Sequence, residues 1–404
     1  MDLSLSEEQL AVRALAADFV DRDVIPYATA WDRAESVDRG IVKRLGDLGF
    51  LGMTVPEEYG GSAGDHVSYC LVMEQLGRGD TAVRGIVSVS LGLVTKPLLA
   101  HGTEEQKREW IPKLVAGDAL GCFGLTEPGH GSDAGHLKTK AVRDGDDWLI
   151  SGTKVFITNG TWADVALIFA RTGAGFGAGT GADSGTGTGA GNRREDDGPR
   201  GITAFLVPTS TPGFQAREIK GKLGLRGQAT AELVLDDVRV PDAARLGDVG
   251  QGFKIAMSTL DKGRMSVAAG CVGLMQACLD ASVAYARERD QFGKTIAHYQ
   301  LVQEMLADIS VDLDAGRMLV WRVADLVERG QPFATAASTA KLFCSEAAVR
   351  AANNAIQVFG GYGYIDEYPV GKYLRDARVL TLYEGTSQIQ KLLIGRALTG
   401  VSAF

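Results

Sequence analysis

Histidine and cysteine are scarce in this chain of 404 residues, at five each, and their placement excludes several chemistries. His66, His101, His130, His136 and His298 form no H-E-x-x-H and no paired spacing on one helix face, so no metal site is expected. Cys70, Cys122, Cys271, Cys278 and Cys344 are an odd number without a C-x-x-C, which argues against a disulfide framework or zinc site and fits a reducing cytoplasm. An excess of positive charge is also missing. Lys and Arg total 42 against 50 Asp and Glu, a formal net charge of -8, so neither nucleic acid nor an anionic membrane surface is an expected partner. No stretch approaches the eighteen or more apolar residues of a membrane span, and the start "MDLSLSEEQLAVRALAADF" is acidic and periodic, unlike a signal peptide. The glycine-rich stretches never fall into G-x-G-x-x-G, and "GKT" at Gly293 to Thr295 has Glu288 where a Walker A loop needs glycine.

What is present is ordinary soluble composition, 45% hydrophobic and 23% charged, in a chain long enough for two or three domains. From Ser6 to about Val115 the pattern is helical: Leu10, Val12, Leu15, Ala16, Phe19 and Val20 recur at helical spacing, and Thr103 to Gln106 reads as a capping box. From about Gly121 to Pro241 come short runs such as "WLISG", "KVFIT", "DVALIFA", "ITAFLVP" and "AELVLDDVRV", a small β domain. Helical periodicity returns after Gly252, with Leu301, Met305, Ile309 and Leu313 as one stripe. The expectation is an α+β protein of three domains: residues 1–120, 121–241 and 242–404. Within the second, residues 172–200 hold nine glycines between Gly173 and Gly191 and then "NRREDDGPR", which predicts a disordered loop.

Four stretches invite chemistry. "GGSAG", Gly60 to Gly64, formally fits a nucleophile elbow with Ser62, but the buried strand that such an elbow requires is replaced by "VPEEY". In "CFGLTEPGHGSDAG", Cys122 to Gly135, a strand ends at Thr126-Glu127 and opens into small residues whose amides and hydroxyls can approach a flat polar ring or a phosphate. In "GTKVFITNG", Phe156 and Thr158 are two apart on a strand, which predicts a shared face with a stacking plane and a hydroxyl. Finally, Glu384 follows the apolar run Val379 to Tyr383 in "RVLTLYEGTSQIQ", within the periodicity of a buried helix, where a carboxylate is costly.

Together with "RERDQFGKTI" and "FGGYGYIDEYPV", these stretches and the helix, strand, helix order closely resemble the acyl-CoA dehydrogenase family, almost from "LSEEQ" to "GRALTG". The resemblance implies an N-terminal helical domain, a central β-barrel-like domain and a C-terminal four-helix bundle. It implies a homotetramer, a dimer of dimers, with one FAD per subunit. It also implies the reaction, removal of the α-proton of an acyl thioester with hydride transfer to flavin N5.

By the same resemblance Glu384 is the catalytic base, and its side chain must be desolvated to become basic enough. Some relatives carry the base at the position of Gly263, which glycine cannot serve. Phe123, Leu125, Thr126, Gly131 and Ser132 match the segment lining the flavin and thioester, and Phe156 and Thr158 match the one that shields the other flavin face. Arg289, Phe292, Gln300, Gln357, Gly360, Gly361, Thr386 and Gln388 match contacts to the ADP half of FAD, part of them across a subunit interface. Asp261, Arg264, Tyr383 and Gly385 match the substrate wall, Gly385 being expected to leave room for thioester and flavin. Arg84, in "VRGIVSVSLGLV", matches an arginine that in the glutaryl-CoA branch binds a distal carboxylate; the bland alternative is a helix-start arginine facing solvent or Asp80. The implied function is short-chain acyl-CoA dehydrogenation with an electron-transfer flavoprotein as acceptor. The alternatives are an oxidase, a dehydrogenase of an acyl-carrier-protein substrate, a glutaryl-CoA-type enzyme, a flavoprotein with a binding role and the Ser62 hydrolase.

Overall fold

The structure, a computed structural model, describes residues 4–172 and 198–403; the glycine-rich run 173–191 and the charged residues up to 197 lie outside the described residues. Ser6 opens helix α1 (Glu7–Asp23) with a reciprocal capping box to Gln9. Of its apolar positions Ala16, Phe19 and Val20 are buried, whereas Leu10 and Leu15 stay exposed. Helices α2 (Ile25–Ala34), α3 (Ile41–Asp47), α4 (His66–Gly79) and α5 (Thr81–Val87) follow, then a π-helical stretch Ser88–Thr95, α6 (Lys96–His101) and α7 (Glu104–Ala116). The capping box expected at Thr103 is present, with Gln106 as its partner.

The middle of the chain forms β1 (Gly121–Gly124), β2 (Lys140–Asp144), β3 (Asp147–Thr158), β4 (Val165–Arg171), β5 (Ile202–Pro208), β6 (Phe214–Glu218), β7 (Thr230–Pro241) and β8 (Arg245–Leu246). They join one mixed sheet in the order β6-β7-β3-β2-β4-β5-β8, with β1 parallel to β4. Strand β4 is buried throughout because alternate residues enter different cores: Val165, Leu167 and Phe169 join the helices, while Ala166, Ile168 and Ala170 meet Trp148, Phe205 and Leu233 inside the β unit. "WLISG" and "KVFIT" belong to a single strand, β3, whose pairing with β7 is irregular between Ile150 and Gly152 and between Lys154 and Ile157.

Helix α8 (Gly252–Glu288) leads to a hairpin of β9 (Asp290–Gln291) and β10 (Lys294–Thr295), then α9 (Gln300–Glu328) and α10 (Ala334–Phe359), which pack on α8 and on each other. The stripe on α9 buries Ile309 and Leu313 but leaves Leu301 exposed, because the first turns meet only a small satellite cluster around Ile296. Thr81–His101 and Gly252–Glu288 are each long and apolar enough to cross a bilayer, contrary to the sequence expectation. With 89% and 67% of their most apolar windows buried inside the fold, both read as core helices.

The tail departs from the expected continuous helix. Helix α11 (Val370–Leu380) stops, a turn follows, and α12 (Ser387–Thr399) starts with Thr386 as its N-cap. Glu384 stands in that turn at φ 51° and Gly385 follows at φ 91°.

Candidate active site

Glu384 Oε2 is buried and has no hydrogen-bond partner among the described residues. Burial raises the pKa of this carboxyl above the ordinary carboxylate range, and the nearby cations Arg84, Lys341 and Arg264 oppose that rise. The carboxylate occupies space that only glycine leaves free on α8: a Cβ on Gly263 would overlap Glu384 Oε2 and lie 2.9 Å from its Cδ. Glycine at 263 therefore makes room for the group that it cannot itself supply. The Glu384 amide N–H also has no partner among the described residues, so a second polar atom of this residue is available.

Arg264 Nε reaches the Glu384 carbonyl at 3.4 Å while its Nη1 pairs with Asp261 Oδ1 at 2.5 Å, so these two residues form one wall of the site. Burial pushes Asp261 up and Arg264 down. Gln390 Nε2 donates to the carbonyls of Glu384 (3.0 Å) and Gly385 (3.1 Å), and Lys341 Nζ donates to the Gly385 carbonyl at 2.8 Å. Gly385 does not stand beside open space. Its Cβ would lie 2.5 Å from Gln390 Nε2, so the glycine serves the left-handed turn and the approach of Gln390.

Arg84 neither faces solvent nor pairs with Asp80. It is 1% exposed and donates to the Tyr383 hydroxyl, its guanidinium carbon lying 5.8 Å from that ring, while Nε is buried without a partner. Asp80 instead accepts the Ala82 amide at 2.7 Å and faces Lys372 at 3.3 Å. Close by, the hydroxyls of Ser88 and Ser266 meet at 2.9 Å.

The two expected flavin segments lie side by side, the Val155 amide donating to the Thr126 carbonyl at 2.9 Å. Phe123 packs on Phe169 at 4.9 Å between ring centroids and Leu125 is buried, whereas Gly131 and Ser132 are exposed. Phe156 is 69% exposed at φ 60°, and Thr158 donates to Gln228 Oε1 at 3.2 Å. The irregular pairing between Lys154 and Ile157 interrupts two-residue alternation, so the shared face expected from spacing alone does not come from a regular strand.

A separate groove of about 410 Å³ brings together Arg289, Gly360 and Gly361 with Tyr285, Gln291 and Tyr362. Arg289 lies over the Tyr362 ring at 5.3 Å, and a Cβ on either glycine would meet nothing within 4 Å. Gln357 is exposed near the end of α10; Phe292, 94% exposed at the hairpin tip, and Gln300 project outside the groove lining. The Thr386 hydroxyl accepts from the Ile389 amide at 3.2 Å as a helix cap, and Gln388 is exposed. Ser62 follows the 3-10 turn Glu57–Tyr59 rather than a strand and donates to the Met53 carbonyl at 3.1 Å, the geometry of a plain turn. Among the described residues no cluster of His, Cys, Asp and Glu could hold a metal.

Sequence reasoning missed Lys341 and Gln390. A lone lysine at helical spacing from Ala337, Cys344 and Ala348 was the available signal, because those neighbours mark the buried face of α10.

The description "Acyl-CoA dehydrogenase, N-terminal domain" matches residues 6–118, the middle domain residues 122–238 and the C-terminal domain residues 250–399. These matches over all three parts of the chain define an oxidoreductase acting on CH–CH bonds. The chain belongs to the acyl-CoA dehydrogenase family, whose members depend on FAD. It is 40% identical to the human mitochondrial short-chain specific acyl-CoA dehydrogenase over 392 residues, 97% of this chain and 90% of that protein. A chain of a solved structure described as the electron transferring flavoprotein of Acidaminococcus fermentans is 38% identical with a TM-score of 0.92, covering 99% of this chain and 100% of that one. A glutaryl-CoA dehydrogenase from Mycobacterium smegmatis in complex with FADH2 is 37% identical with a TM-score of 0.90, covering 99% and 96%.

An exposed phenyl ring, half-buried hydroxyls and open space at Gly131, Gly360 and Gly361 fit a flat ring carried on a pyrophosphate.

Proposed function

We propose that this protein is an FAD-dependent dehydrogenase of short-chain acyl-CoA, with Glu384 as the base that takes the α-proton. The observation that carries this reading is a carboxylate oxygen buried without a partner and bracketed by cations that do not bind it directly. Desolvation brings Glu384 toward the basicity that a carbon acid demands, while its free amide N–H would donate to a thioester carbonyl as negative charge develops. Thr126, Ser132, Phe156 and Thr158 would hold the isoalloxazine end of FAD, and Arg289, Phe292, Gln300, Gln357, Gly360, Gly361, Thr386 and Gln388 the ADP end. When bound, FAD supplies the two-electron oxidant that accepts the β-hydrogen as hydride, so the product is a trans-2-enoyl thioester.

No hydrogen bond or ion pair among the described residues joins the Arg289 groove to the Glu384 cluster. The reading includes a homotetramer in which a second subunit completes the cofactor site. The reading extends to a cytoplasmic enzyme passing electrons to an electron-transfer flavoprotein, and to a chain divided at residues 120 and 241.

A second reading is favoured by Arg84. A buried guanidinium with an unpaired Nε and no carboxylate partner among the described residues suits the distal carboxylate of a dicarboxylic acyl-CoA. Anaerobic flavin bleaching against straight, branched and dicarboxylic acyl-CoAs, each also on a carrier protein, decides the substrate class. If Arg84 reads a carboxylate, Arg84→Met, compared at a pH above the acidic limb of both proteins, slows bleaching by the dicarboxylic thioester by about 10²-fold, the loss expected for a charged hydrogen-bonded contact, and leaves a straight chain within about threefold. Equal effects on both would rule out that role. Fast reoxidation by oxygen would instead mark an oxidase.

A further inference from the structure

The turn that carries Glu384 is held from outside itself. Two successive left-handed residues, Glu384 and Gly385, are a conformation that the surroundings must impose on a non-glycine side chain. Both of their carbonyls are gripped. Glu384 O accepts from Gln390 and Arg264, and Gly385 O accepts from Gln390 and from Lys341 Nζ at 2.8 Å. Five residues along the same helix α10, Glu346 takes the Ser387 hydroxyl at 2.5 Å, so α10 holds the turn at two places.

Lys341 is fully buried and forms no ion pair among the described residues. Burial pushes its amine down to about 8, with Cys271 and Glu384 acting the other way. An amide side chain could make the same hydrogen bond without the cost of burying a charge, so the carbonyl contact alone does not account for a lysine. The carbonyl that Lys341 grips belongs to the residue next to Glu384, and the two charges act on each other's ionisation.

We propose that Lys341 is a positioning residue: it clamps the Gly385 carbonyl and so sets the Glu384 side chain into the space left by Gly263. This rests on Glu384 being the base. The other charged or titratable groups facing Glu384 are Arg84 from α5, Tyr69 from α4, Arg264 from α8 and the adjoining Tyr383; Arg264, Cys271 and Glu346 face Lys341. Removing one of three cations raises the Glu384 pKa, so the acidic limb of activity moves to higher pH.

The test compares wild type, Lys341→Gln and Lys341→Met as full-length, FAD-loaded protein. One readout is anaerobic flavin bleaching by butyryl-CoA across pH. The other is the infrared carbonyl band of protonated Glu384, titrated without substrate and assigned by its loss in Glu384→Gln. In both Lys341 variants the band and the acidic limb should move up by about one pH unit or more, as for loss of a neighbouring opposite charge. Lys341→Gln retains a donor for Gly385 and should reach a plateau rate within about threefold of wild type, whereas Lys341→Met falls about tenfold or more at nearly unchanged KM. Unmoved band and limb with only a lower melting temperature overturn the proposal, and Lys341→Gln alone decides if Lys341→Met does not fold. A Glu384→Gln protein that still bleaches at the wild-type rate overturns the base assignment instead, so the two failures are distinguishable.

Discussion

At the scale of single residues, the site turns on a vacancy of one methyl group. Gly263 lies inside α8 with no positive φ, so the helix itself has no need of glycine there, and alanine is the better helix former by about 1 kcal/mol. What alanine would displace is the Glu384 carboxylate and, at 3.1 Å, Leu93 Cδ2. Gly263→Ala is therefore expected to keep FAD and its yellow colour yet lose about 10²-fold in bleaching rate, the scale of a misplacement near 1 Å. Stopped-flow absorbance at the flavin band measures it, and a rate within threefold of wild type would show that the carboxylate has another place to sit. Glu384 itself was legible in the sequence, because a carboxylate after an apolar run is conspicuous. Lys341 was not, since a single lysine among small residues reads equally well as a solvated helix position until the fold shows which face is covered.

At the scale of elements, regular periodicity transferred well and its interruptions did not. The capping boxes at Ser6 and Thr103 and the buried runs of β4 and β5 followed from local chemistry. The break between α11 and α12 did not, because Val379 to Tyr383 continues a helical pattern while Glu384 and Gly385 turn left-handed under the grip of Arg264, Lys341 and Gln390. The irregular pairing of β3 with β7 likewise hides in a sequence that alternates normally, and it changes how Phe156 is displayed. The π-helical stretch Ser88–Thr95, which places Leu93 against the site, carries no sequence mark either. In each case tertiary contacts select a conformation that the local sequence merely permits.

At the scale of the whole molecule, buried charge ties the C-terminal helices to the other two parts of the chain. Lys372 on α11 pairs with Asp376 at 2.6 Å and with Asp80, the N-cap of α5, at 3.3 Å; Asp376 also accepts the Leu225 amide at 2.7 Å from the β6–β7 connection. Arg375 reaches Asp32 on α2 at 2.5 Å. Burial alone would depress Lys372, but Asp376 and Asp80 outweigh it and hold the amine well above its ordinary value. Lys372→Met would leave two buried carboxylates without their cation and should cost about 3–5 kcal/mol, read as a lower urea midpoint; an unchanged midpoint would show that these charges are already compensated elsewhere. The elements stitched together here frame Glu384, and the account of the whole protein rests on its chemistry. The most direct measurement is anaerobic bleaching of bound FAD by saturating butyryl-CoA in Glu384→Gln. The account predicts normal FAD content, normal thioester binding and no detectable flavin reduction on the wild-type timescale; undiminished bleaching would contradict it.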